Sequence, residues 1–79
     1  MNSTRVQLLR LLEALHETRN GVRHVTVNLR YFAADRPPGE ERAHLNLEVR
    51  RLAEIDRRVS GAAAALEWTL RFLPSFPPR

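Results

Sequence analysis

The side chains that could act as general bases or metal ligands are few: His16, His24 and His44, serines at 3, 60 and 75, and nine Asp and Glu. Nucleophilic catalysis needs a nucleophile, a base and an orienting group within hydrogen-bond reach of one another. The spacing does not supply that set. His16 falls in a helical stretch, while His24 and His44 fall on segments that a reversal near Gly39 keeps apart. Each serine has a local role as a cap, a break or a tail residue. Cysteine is absent, which excludes disulfides, thiolate ligands and thiol nucleophiles. Three histidines with scattered carboxylates make a poor metal set. Gly21, Gly39 and Gly61 are isolated and do not form a phosphate-cradling loop. The residues therefore predict a non-enzyme with no cofactor and no metal.

Arginine is the more informative residue type. All 13 basic residues are Arg, set against 9 acids, for a net charge of +4 and a pI near 11.3. Guanidinium groups suit phosphates and guanine edges. Codon bias of a GC-rich genome would also enrich Arg, along with Ala and Leu, and is the preferred reading because most Arg residues have an acid nearby. The doublets Arg50-Arg51 and Arg57-Arg58 lie seven apart and so share one side of a helix. With Arg30 they form the candidate phosphate-binding set; Glu48, Glu54 and Asp56 between them suggest instead an outer face laced with ion pairs. Trp68 and Phe72, one turn apart, would anchor a partner if exposed, as Phe32 would on its own segment. The tail from Pro74 to Arg79 fits the P-x-x-P-x-R pattern of polyproline ligands, but a proline stop with Phe76 folding back on Trp68 or Phe72 is preferred.

These residues must be positioned by local elements. Leu8, Leu12 and Leu15 make a helical stripe, broadened by Leu9 and Leu11, in a helix predicted from Thr4 to Arg19. Thr4 and Gln7 have capping-box spacing, and Asn20-Gly21 supplies a stop. Val25, Val27, Leu29, Tyr31 and Ala33 then alternate with His24, Thr26, Asn28, Arg30 and Phe32, the period of a strand. Asp35-Arg36-Pro37-Pro38-Gly39 breaks that strand, and Leu45, Leu47 and Val49 alternate after it in a second, antiparallel one. On this reading His24, Thr26, Asn28, Arg30 and Phe32 share a polar sheet face with His44, Asn46 and Glu48.

Residues 48–59 fit strand or helix. A helix from Arg50 is favoured, because a strand would bury Arg51 and Arg57, and it would pair Arg50 with Glu54 and Glu54 with Arg58. Ser60-Gly61 predicts a break, and a last helix runs from Ala62 to Leu73 on a Leu66, Leu70, Leu73 stripe.

The expected architecture is α+β: an N-terminal helix, a two-stranded antiparallel β-hairpin, then one or two C-terminal helices packed on one sheet face. Residues 1–73 would form one compact domain and 74–79 a Pro-rich tail. Two strands alone are marginal in water, so a homodimer is expected. No apolar run is long enough to span a membrane and no signal peptide is evident, which with the lack of Cys suggests a cytoplasmic protein.

Leu29 to Ala34 resembles the first strand of ubiquitin-like sulfur carriers over six residues. The likeness ends there, because a helix precedes the segment and the chain closes in Pro-Pro-Arg instead of Gly-Gly. A ribbon-helix-helix arrangement fails because Pro37 and Pro38 occupy the place of its first helix. In size and simplicity the chain is similar to inhibitors and adaptors encoded by phages and mobile elements, anti-CRISPR proteins among them. The functional expectation is a small non-catalytic protein that docks on another macromolecule, most readily a protein, through Arg30, Phe32, Arg50, Arg51, Arg57, Arg58, Trp68 and Phe72. Arg-mediated DNA or RNA binding is the alternative.

Overall fold

The structure, a computed structural model, describes residues 3–73. They form two helices of 33 residues each, α1 from Ser3 to Asp35 and α2 from Glu40 to Phe72, folded back on each other as an antiparallel hairpin. The molecule is a rod of 62 × 14 × 12 Å. This overturns the α+β expectation: among the described residues there is no strand, so neither the β-hairpin nor a helix packed on a sheet exists.

One repeat explains the pairing. In α1 the residues facing α2 are Leu8, Leu12, Leu15, Arg19, Val22, Thr26, Leu29 and Ala33, and in α2 the matching row is Leu45, Val49, Leu52, Asp56, Val59, Ala63, Leu66 and Leu70. Steps alternate between three and four throughout, the 3.5-residue period that keeps one stripe of a helix against a partner helix. The segment from Val22 to Ala33 follows this period and not the period of two. Its alternation of Val25, Val27, Leu29 and Tyr31 imitates a strand, but only Leu29 of those four lies on the seam. Thr26 is buried there and is compatible with the helix because its hydroxyl donates to the Val22 carbonyl at 2.7 Å.

The expected stop at Asn20-Gly21 and break at Ser60-Gly61 do not occur; both glycines lie inside helices. An interior Gly costs a helix about 1 kcal/mol relative to Ala, a weak penalty against continuous backbone hydrogen bonding and seam burial on either side. Residues 36–39 are the true interruption, where Pro37 and Pro38 lack the donors a helix needs. The Arg36 amide closes on the Ala33 carbonyl (3.3 Å), and Ala43 opens the next helix by donating to the Gly39 carbonyl (3.0 Å). Arg36 reaches Glu41 across the turn at 3.4 Å. Glu40 and Glu41 in the first turn of α2 and Arg71 in its last turn complement the helix dipole.

The interior is thin. Among the described residues the buried apolar side chains are Ala33, Ala63 and Leu70, with no large side chain fully enclosed. The accessible surface is 6419 Å², against about 4,900 Å² for a compact monomer of this mass. The radius of gyration of 18.1 Å likewise exceeds the roughly 12 Å of a compact chain of this length.

Candidate docking surfaces of the hairpin

In an antiparallel helix pair, the residues flanking the seam meet their counterparts along two opposite edges of the rod. One edge is polar. Arg23 Nε donates to Asp56 Oδ1 at 2.9 Å, with a longer contact of 3.5 Å between Nη2 and Oδ2. His16 Nε2 lies 3.8 Å from Glu67 Oε1 on the same edge. Between them, Arg23, Thr26, Val27, Arg30, Ala53 and Asp56 line a shallow open cleft of about 290 Å³. Asp56 and Arg19 are the charged members of the central seam. The Arg19 Nε and, near it on the facing helix, the Ser60 Oγ are buried without hydrogen-bond partners.

The other edge is apolar. Leu11, Val25 and Phe32 of α1 flank the seam there, and Ile55 faces them from α2. All four are exposed, Leu11 by 55% and Phe32 by 56%. Thr18, Gly21 and Ala62 lie between them and project little bulk.

The predicted site residues divide between these surfaces. Arg30 and Phe32, expected together on a sheet face with His24, Thr26 and Asn28, are separated by the helical turn. Arg30 lines the polar cleft, Phe32 lies on the apolar edge and Thr26 is in the seam. His24 contacts Asn28 one turn on, at 3.3 Å. Arg50, Arg51, Arg57 and Arg58 are all exposed on the outer side of α2. The anticipated pairs of Glu54 with Arg50 and Arg58 are replaced by Arg57–Glu54 at 2.8 Å and Arg51–Glu48 at 2.9 Å, each spanning three residues. Arg30, Arg50 and Arg58 form no ion pair among the described residues.

Trp68 and Phe72 do meet: their rings pack with centroids 4.4 Å apart and planes tilted by 45°. They form an exposed pair, Trp68 by 61%, at the open end of the hairpin. Phe32, toward the turn, lies roughly 30 Å from them along the rod. Tyr31, at 77% the most exposed large side chain, was missed at the sequence level; its place on an outward helix position follows once Leu29 and Ala33 are assigned to the seam. The polyproline-like segment and Phe76 lie outside the described residues.

No three His, Asp or Glu among the described residues are grouped as a metal site would require. No helix there is long and apolar enough to cross a membrane. Compared with known proteins, the chain matches no family model, no curated protein sequence and no solved structure.

Proposed function

We propose that this chain is a non-catalytic interaction protein, a helical hairpin that acts by docking on another protein. The observation that carries this reading is the Trp68–Phe72 pair. It holds two aromatic rings in fixed mutual contact yet open to solvent, beside Arg71 at the end of α2. A rigid aromatic anchor brings large contact area at little conformational cost, and Trp and Arg dominate binding hot spots. The small interior supports the same view, because much of the apolar surface that could stabilise the chain remains uncovered.

The test is affinity capture with the full chain from an extract of its own source, repeated after nuclease treatment, beside the Trp68→Ala/Phe72→Ala variant. A reproducible nuclease-resistant protein that the variant fails to retain is the expected result. Equal capture by both forms, or none by either, overturns the reading. Arg30, Arg50 and Arg58, free of acidic partners, favour nucleic acid as the second reading. An electrophoretic shift that weakens steeply with salt, together with capture lost to nuclease, would establish it.

A further inference from the structure

We propose that the apolar edge carrying Leu11, Val25, Phe32 and Ile55 is covered by a second copy of this chain, packed end over end into a four-helix bundle. This deepens the docking reading and rests on it, naming the occupant of one surface and leaving the Trp68–Phe72 end for another. The first argument is area. The chain exposes 6419 Å², roughly 1,500 Å² more than a compact monomer of its mass. Hiding that excess on two chains removes about 3,000 Å², within the range of obligate homodimers.

The second argument is self-complementarity, which a two-fold interface demands because each patch must fit itself. Phe32 and Leu11 stand near-equal distances on either side of Gly21 along α1. A two-fold axis near Gly21 lays the Phe32 of each copy over the Leu11 end of the other. Thr18, Gly21 and Ala62 at the middle let the backbones approach. Each copy then supplies two helices to a bundle whose new seam runs beside the existing one.

Charge selects the direction. The acids of this edge, Asp35, Glu41 and Glu48, all lie toward the turn, whereas Leu11, Ala14, Ala65 and Thr69 occupy it toward the open end. Joining the copies turn to turn would gather six carboxylates and set Phe32 over Glu48. End over end, each acidic end faces an uncharged one.

Because the chain has no cysteine, single-cysteine variants read the arrangement directly. Sedimentation equilibrium of the wild-type chain at micromolar concentration should give twice the 9.1 kDa chain mass. Val25→Glu/Ile55→Glu should weaken association by roughly 100-fold, since it buries two carboxylates. Val27→Glu, on the polar edge, should not. Circular dichroism at 222 nm establishes that each variant is helical. Oxidation of a mixture of Leu11→Cys and Phe32→Cys chains should yield the mixed disulfide, and Phe32→Cys alone should yield almost none. A wild-type chain that sediments as a monomer, equal loss in Val27→Glu, or efficient self-linking of Phe32→Cys overturns the proposal. None of these outcomes bears on capture by Trp68 and Phe72, so the two readings fail separately.

Discussion

Gly61 offers the sharpest test of the hairpin, because two opposite substitutions there carry opposite signs. It lies inside α2, exposed, and a β-carbon built on it meets nothing within 4 Å. Gly61→Ala therefore costs no packing and removes backbone freedom from the unfolded chain, a gain of about 1 kcal/mol from helix propensity. For a domain of this size that is a rise of about 4–8 °C in Tm. Gly61→Pro deletes a helical hydrogen bond and drives its ring against the carbonyl one turn back, a loss of about 3 kcal/mol or more. The assay is thermal unfolding followed at 222 nm at one fixed chain concentration. If the chain were broken at Ser60-Gly61, as the sequence suggests, Ala would gain nothing and Pro would be tolerated. That pattern would refute a continuous α2.

Two further predictions concern the seam. Arg19→Leu extends an apolar row and removes a buried Nε that has no hydrogen-bond partner; it should raise stability by about 1 kcal/mol, measured as an increase in the urea midpoint at unchanged slope. Leu70→Ala removes a large seam side chain that is only 7% exposed and should lower stability by about 2–3 kcal/mol, which loss of helical signal at moderate urea would report.

Both ends of the fold were legible in the sequence because there the seam is made of leucine. Leu8, Leu12 and Leu15, then Leu66, Leu70 and Leu73, state the helical period without interference, and the prolines mark the reversal. The middle was not legible, for a physical reason. Its seam passes through Arg19, Thr26 and Asp56, polar residues whose helical partners are not apparent from hydrophobicity, while Val25, Val27 and Tyr31 remain exposed. A pattern reader follows the apolar residues and so reads a period of two. The glycines reinforced that error, because a penalty near 1 kcal/mol reads as a stop until the length of the surrounding helix is known. Of the candidate site, the Trp68–Phe72 pair follows from one-turn spacing alone. The Arg23–Asp56 bond joins residues 33 apart and depends on the alignment of α1 with α2, which only the folded hairpin sets.

The turn formed by residues 36–39 sends α2 back along α1, so Ser3 and Phe72 stand at the same pole, tied where Arg5 Nη1 donates to the Leu70 carbonyl at 3.4 Å. Each helix is about 50 Å long. Any polypeptide joined before α1 or after α2 would leave the rod from that one pole, and the bend at Pro37-Pro38 would stand clear of it. A fluorophore or affinity peptide inserted at the bend would report on the molecule from afar, whereas a terminal fusion would crowd the aromatic pair.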